Sequence, residues 1–370
     1  MTITLKEGHF SSFFQTPFVI YGPDVPFVSP LRSELRSAVQ FSKNPFFPNG
    51  DGIFYTAFQD GKLVGRICAH VHHAANMRHG ERAASFGYFD CVDDGEVAQA
   101  LLEAAEAFGR ARGCDLIRGN MNLTAHQEIG VLTEGAENPP FLAQIYTPAH
   151  IAGLLEACGY TASKPMTSFI KDDLETYEPE RLLGARHRDL MQQDGFVFRP
   201  FDMRRFAEET ERIREVLNAA MQENYLYMPM TAEQARFQLG PLKMIMDPSL
   251  VMMAEHDGDA IGVTLCLPDI NPMLRQMRSR LWPWGWWTAL RMRRRLKGAS
   301  IIIILVKPAY QSRGVTRVLT YLLMQALQQG GYTHVGGTWI GDDNLPSLRS
   351  AQAVGMKPYH RLHMYEKSLS

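Results

Sequence analysis

The sequence predicts an α/β fold with a mixed α+β sheet, built twice along one chain, and three observations carry that prediction. First, six apolar residues, Ile301 to Val306, run unbroken up to Lys307-Pro308, the pattern of a strand buried on both faces. Second, Val318-Leu319, Leu322-Leu323 and Ala326-Leu327 recur at helical spacing, so this strand leads through a tight turn at Gln311 to Gly314 into a helix. Third, the two halves repeat one order of elements. Gly65 and Gly262 fall at equivalent places in hairpins, as do Gly159 and Gly355 after closing helices. A chain of 370 residues is long enough for two domains of ordinary size. The expected division is 1–172, a charged connector at 173–195, and 196–370.

Taken in order, the first fifty residues mix aromatics with prolines, and a helix is expected from Ser33 to Phe41. Ile53 to Phe58 and Leu63 to His70 form a hairpin around Asp60-Gly61, a dipeptide suited to the left-handed turn. A strand near Phe86 to Phe89 precedes a helix from Glu96 to Arg112, which Gly113 ends. Leu116-Ile117 is a short strand leading to the polar turn Gly119 to Asn122, and a helix at His150 to Cys158 closes on Gly159. The second half replays this with a hairpin around Asp257-Gly258, the strand at Ile301, the helix to Gln329, a strand from His334 to Ile340 and a helix ending at Gly355.

Composition excludes several classes. At 45% apolar and 21% charged residues, the chain belongs with globular proteins rather than disordered ones. Five cysteines without C-x-x-C spacing point away from a zinc site and a disulfide framework, towards a reducing compartment, and no metal is expected. The N-terminus lacks a signal pattern, and no apolar run is long enough to span a bilayer. Net charge is −1, but between Asp269 and Asp342 eleven Lys and Arg face no acidic residue.

The turn after the apolar strand is the chemical centre of the sequence. Unpaired first-turn N–H groups and the helix dipole attract anions, and Arg313 adds a full charge, so a pyrophosphate could be held there. An ordinary strand–turn–helix has the same outline. Val306, Pro308, Gln311 and Gly314 together resemble the coenzyme A motif Q/R-x-x-G-x-G/A of the GNAT acyl-CoA N-acyltransferases. Asn344 through Gly355-Met356 looks like that family's closing segment. The resemblance implies acyl-CoA as co-substrate, bound by Val306, Gln311, Ser312, Arg313, Gly314, Val315, Thr316 and Asn344. Thr316 stands where the family has Gly or Ala, and Ala351 where many members have the tyrosine that protonates the thiolate. In the first half, Asp93, Asp94 and Glu96 occupy the corresponding turn and would repel a pyrophosphate, so one donor per chain is expected.

Acyl transfer also needs a proton acceptor and an oxyanion donor. The resemblance puts the backbone donor near Val306. Glu128 and His126, after the Asn120-Met121-Asn122 turn, are the expected acceptors, with His70, His72 and His73 as further candidates and Tyr146, Tyr310 and Tyr359 as candidate acids. Asn44 to Phe47, Met121-Asn122 with Glu128 and Gly130, Pro268 to Asn271 and Trp339-Ile340 are similar to a bacterial subfamily of tandem GNAT proteins, the ceramide synthases, which acylate a sphingoid base. Here Asn120 and Leu123-Thr124 replace that subfamily's prolines and serine. Competing expectations are a small-substrate acetyltransferase, an aminoacyl-tRNA-dependent transferase and a non-catalytic lipid-binding module.

Residues 271–298 hold four of the five tryptophans, at 282, 284, 286 and 287, among eight Arg and Lys. Indoles favour the bilayer interface and basic residues favour anionic lipid, so the stretch reads as a peripheral anchor or as a lid over a greasy tunnel. A tryptophan core with solvated arginines is the bland alternative, and single-stranded nucleic acid a weaker one. The expected setting is the cytoplasmic side of the inner membrane, with long-chain acyl-CoA and a lipid amine as partners.

Overall fold

The computed structural model describes residues 2–124, 128–222, 224, 227–280 and 296–370. His126 and most of the tryptophan-rich stretch, 281–295, lie outside the described residues. The described strands are β1 (Ile3–Glu7), β2 (Gly52–Gln59), β3 (Lys62–Val71), β4 (Ala83–Cys91), β5 (Leu116–Gly119), β6 (Val131–Glu134), β7 (Thr161–Lys171), β8 (Phe196–Pro200), β9 (Val251–His256), β10 (Asp259–Pro268), β11 (Gly298–Val306), β12 (His334–Gly341) and β13 (Lys357–Ser368). They form one sheet in the order β1-β2-β3-β4-β5-β13-β7-β12-β11-β10-β9-β8, with β6 paired to β13 off that path.

Both expected hairpins are present. Asp60 and Gly61 have φ of 50° and 77°, and Asp257 and Gly258 have 52° and 86°. Left-handed conformation at both central residues matches the twist of the flanking strands. β4 and β5 pair parallel, as do β11 and β12. After β4 comes the helix Gly95–Arg110, which buries Val97, Leu101, Leu102 and Ala105 against the sheet. After β11 comes the helix Val315–Gln329, burying Val318, Leu319, Leu323 and Leu327 in the same manner. Opposite faces are covered by the helices Phe10–Ile20 and Phe206–Ala220.

The halves exchange their last strands. β13, from the end of the chain, lies beside β5 of the first half, and β7 lies beside β12 of the second. β7 and β13 then pair with each other from Lys357↔Ile170 to Glu366↔Thr161. Each parallel pair is thus continued by a strand from the other half. The sequence does not announce this. TASKPMTSFIK is polar at its start and contains Pro165, so Thr161–Lys171 does not read as a strand. The helix Phe10–Ile20 is hidden for a similar reason, with Pro17 inside it, and the expected helix at Ser33 to Phe41 is Arg32–Ala38.

One expectation is corrected. Ile301 and Val306 are buried, but Ile302 to Leu305 are half-exposed, so β11 is not buried on both faces. These four residues keep partial exposure along the part of the strand that β12 no longer pairs.

Candidate active site

β11 and β12 pair from Gly298↔His334 to Ile301↔Gly337 and then part. N–H and C=O groups alternate sides along a strand. Lys307 N–H donates to Ile261 O on the β10 side at 2.8 Å, so the groups of Val306 and Ile304 face the other way, into the gap. Two contacts agree with this. Ile302 O accepts a hydrogen bond from Thr338 on β12 at 3.0 Å, and Val306 O accepts one from the Gln311 side chain at 3.2 Å. The space left by β12 is therefore walled by Ile302 to Leu305 and faced by the N–H groups of Ile304 and Val306.

At the end of β11 the turn Gln311 to Arg313 is exposed, and Ser312 and Gly314 take φ of 66° and 96°. Gly314 caps the helix Val315–Gln329 without a side chain, leaving its first N–H groups free of side-chain competition. A Cβ on Gly314 would also lie 2.8 Å from the His187 ring, so conformation favours glycine and a side chain there would displace that ring. The Arg313 guanidinium lies 5.1 Å from the centre of the Tyr310 ring. His187 belongs to the connector helix Ala185–Gln192, which sequence reasoning did not connect to this turn. Burial lowers the His187 pKa, and Arg186 and Arg317 lower it further. Three arginines, 186, 313 and 317, thus belong to this corner, and none forms an ion pair among the described residues. Uncapped amides, a close-approach glycine and arginines without carboxylates suit a pyrophosphate. Val315 is buried, Thr316 is half-buried in the first turn, and the Asn344 side chain caps the helix Leu345–Val354 by accepting from Ser347 N at 3.2 Å.

The matching gap in the first half is filled. β4 and β5 separate after Ser85↔Arg118, and the chain following β5 folds back beside β4. Met121 N donates to Phe86 O at 2.8 Å, and Tyr88 N donates to the Asn122 Oδ1 at 2.7 Å. A Cβ on Gly87 would overlap the Met121 carbonyl. The matching turn is occupied too, because Asp94 Oδ1 accepts from Glu96 N at 2.9 Å and Val97 N at 3.4 Å. A shallow cavity of about 630 Å³ beside it is walled by Asp94, Glu96, Gln59 and Gln99, a poor setting for phosphate.

Glu128 is held by this filling segment. Asn122 Nδ2 donates to its carboxylate at 2.7 Å, while Asn122 N donates to its carbonyl at 2.9 Å. Burial of the carboxyl raises its pKa to about 7, with Asp90 adding to the rise and Asn122 and Arg66 opposing it. The residue as a whole keeps partial exposure, although its carboxyl is desolvated. Its surroundings connect it to the open gap. Tyr88 and Leu123 share an apolar cluster against which Ile303 and Leu305 of β11 pack, and Met121 and Ile129 share another against which Trp339 of β12 packs. A carboxyl poised near neutrality beside an apolar cleft is suited to accept a proton from an amine.

The other candidates divide clearly. His70 is fully buried with its pKa pushed down to about 3, and its Nε2 is 3.2 Å from Met121 O, so it is a weak base supporting the filling segment. His73 pairs with Asp51 on the surface. Tyr359 donates to Pro139 O at 2.9 Å, and the Tyr310 hydroxyl is 3.1 Å from His256 Nδ1. Tyr146 is buried in the cluster that Trp339 contacts, and Ala351 is buried.

The sequence profile of the Acetyltransferase (GNAT) family matches residues 210–356. The chain is 30% identical over 365 residues to a protein of Caulobacter vibrioides (strain NA1000 / CB15N) described as a bacterial ceramide synthase, covering 96% of this chain and 94% of that one. It is 28% identical over 379 residues to Protein YghO of Escherichia coli (strain K12), covering 99% and 94%. Its fold is similar to that of a tandem GNAT protein from the clavulanic acid biosynthesis pathway, with a TM-score of 0.62 at 13% identity, over 100% of this chain and 99% of that chain. The motif at Gln311 to Gly314 and these full-length likenesses lead to one conclusion: the chain belongs to the GNAT family, as a tandem acyl-CoA-dependent N-acyltransferase.

Proposed function

We propose that the protein transfers a long-chain acyl group from acyl-CoA to the amine of a sphingoid base, as a bacterial ceramide synthase. The observation that carries this reading is the partly exposed apolar gap between β11 and β12, where Ile303, Leu305 and Trp339 share clusters with Leu123, Met121 and Ile129, the neighbours of Glu128 in sequence. Half-exposed Ile302 to Leu305 suit an acyl chain better than an acetyl group. The name of the Caulobacter relative supports the same acceptor class.

In this reading residues 196–370 hold the donor and residues 1–172 shape the acceptor side. Gln311, Ser312, Arg313, Gly314, Val315 and Thr316 cradle the pyrophosphate, with Asn344 at the edge of the site. The Val306 N–H polarises the thioester carbonyl. The neutral amine attacks that carbon, the new C–N bond forms, and Glu128 takes the amine proton, with His126 beside it in sequence. The C–S bond then breaks, and the thiolate leaves to be protonated by water. Substrates that both reside in membranes place the enzyme at the inner face of the bilayer, with residues 271–298 on anionic lipid. No described helix is long and apolar enough to cross a membrane.

The deciding experiment incubates purified protein with labelled palmitoyl-CoA and a panel of lipid amines, read by mass spectrometry. The expected product is an N-palmitoyl sphingoid base. Turnover of acetyl-CoA with no response to chain length would replace this reading with a small-substrate acetyltransferase.

A further inference from the structure

The helix Phe10–Ile20 and the helix Arg32–Ala38 are joined to residues 275–280 by a row of contacts. Arg275 donates to Pro23 O at 2.7 Å and to Val25 O at 3.2 Å, and Arg278 donates to Phe18 O at 3.2 Å. Ser279 donates to Ser29 O at 2.6 Å, and Arg32 N donates back to Ser279 O at 3.0 Å. Two segments some 250 residues apart in sequence thus form one continuous surface.

That surface combines aromatic rings with arginines stacked on them. Arg36 and Arg32 lie 4.9 and 5.3 Å from the centre of the Phe10 ring, Arg278 lies 5.3 Å from Phe18, and Arg280 lies 5.6 Å from Phe14. Stacking fixes a guanidinium plane but leaves its N–H edge free for phosphate oxygens. Among the described residues no ion pair involves Arg32, Arg36, Arg275, Arg278 or Arg280. The carboxylates nearby in sequence are the exposed Asp24 and Glu34, two against the five arginines. Positive charge therefore predominates. Phe10 and Phe18 are half-exposed, and Val19 is 56% exposed at the end of its helix.

We propose that these two N-terminal helices and residues 275–280 form a folded docking face for an anionic lipid bilayer. Uncompensated arginines would meet lipid phosphates, while Phe10, Phe18 and Val19 enter the interface between them. A protein partner would need a matching acidic surface, and nothing in the fold favours one. The proposal extends the membrane reading of residues 271–298 to a second part of the chain, and it rests on that part of the reading. It makes the orientation of the enzyme a property of its first forty residues as well as of the tryptophan-rich stretch.

The test is co-flotation of the full chain with vesicles of phosphatidylethanolamine and phosphatidylglycerol, against vesicles of phosphatidylcholine alone, near physiological salt. Wild type is expected to float with the anionic vesicles only. Arg32→Glu with Arg36→Glu reverses two charges and should weaken partition at least ~100-fold, at about fivefold per unit charge. Turnover of a short-chain donor with a water-soluble amine should be unchanged. Ser33→Lys, on the exposed side of the second helix, should strengthen partition about fivefold, and it decides the matter if the double variant does not fold. Wild-type partition in both variants overturns the proposal. If reversal of Arg275, Arg278 and Arg280 abolishes flotation while the helix variants do not change it, residues 271–298 act alone and the N-terminal face is excluded. Flotation unaffected by either set removes both readings, and equal binding to phosphatidylcholine would show that charge is not what the surface uses.

Discussion

The two halves differ most where their central strands part from a neighbour. In the second half β12 leaves β11 after Ile301↔Gly337, and no described strand takes its place. In the first half β5 leaves β4 after Ser85↔Arg118, and the chain refills the gap with its own backbone and the Asn122 side chain. The helix starts follow suit: Gly314 leaves amides uncovered, while Asp94 covers Glu96 N and Val97 N. One architecture therefore produces two outcomes according to who satisfies the same backbone groups, a ligand or the chain. The segment that fills the gap also holds Glu128 through Asn122, which makes it the proposed supplier of the proton acceptor.

That division of labour is tested most severely at Glu128. Glu128→Gln removes the proposed proton acceptor and keeps the hydrogen-bond geometry, so kcat should fall about 10²–10⁴-fold with acyl-CoA affinity little changed. The pH profile gives an independent check. The carboxyl must be ionised to act, so kcat/KM should rise with pH through about 7 in wild type, and this limb should vanish in the variant. Stability runs in the opposite direction. A carboxyl whose folded pKa is raised favours the fold fully at pH below its unfolded value, and that contribution is lost as pH rises through about 7. Thermal melts should therefore fall between pH 5 and 8 in wild type, and less steeply in Glu128→Gln. A variant with normal turnover would place the proton acceptor elsewhere.

The filled gap itself can be broken at Gly87. A Cβ there would overlap the Met121 carbonyl, and backbone cannot move aside cheaply, so Gly87→Ala should destabilise the protein by about 3 kcal/mol in denaturant melts. An unchanged melt would mean that the segment is only loosely held. Little of this was legible in the sequence. Gly87 looks like any glycine in a strand, and the hydrogen bonds that make it necessary come from residues 121 and 122, brought back by a loop with no periodicity. The exchange of β7 and β13 was equally hidden, since a pairing partner some 200 residues away leaves no local pattern. Hairpins, the two strand–helix units and the turn at Gln311 to Gly314 were legible because each is specified locally, by Asp-Gly turns, apolar periodicity and a glycine at positive φ. The apolar run at Ile301 misled on burial for the same reason. Its composition records contact with apolar matter but not whether that matter is protein or substrate.

At the open end, Arg313→Glu replaces an exposed cation by an anion beside the uncapped helix. Acyl-CoA affinity should drop about 10–100-fold by titration calorimetry, with the melting temperature unchanged because the side chain is exposed. Unaltered affinity would count against a pyrophosphate cradle at Gln311 to Gly314 and for a non-catalytic lipid-binding module.

The mildest change isolates the comparison best. Asp94→Ala uncovers the first-turn amides of the helix Gly95–Arg110, making that turn resemble its open counterpart in one respect. Losing a carboxylate cap should cost about 1 kcal/mol of stability. It should not create a second acyl-CoA site, because Asp93 and Glu96 remain and the gap beyond is still occupied by residues 120–122. Calorimetry on the variant should return one donor per chain. A stoichiometry of two would mean that a single carboxylate, rather than the refolded chain, is what keeps the first half closed to nucleotide.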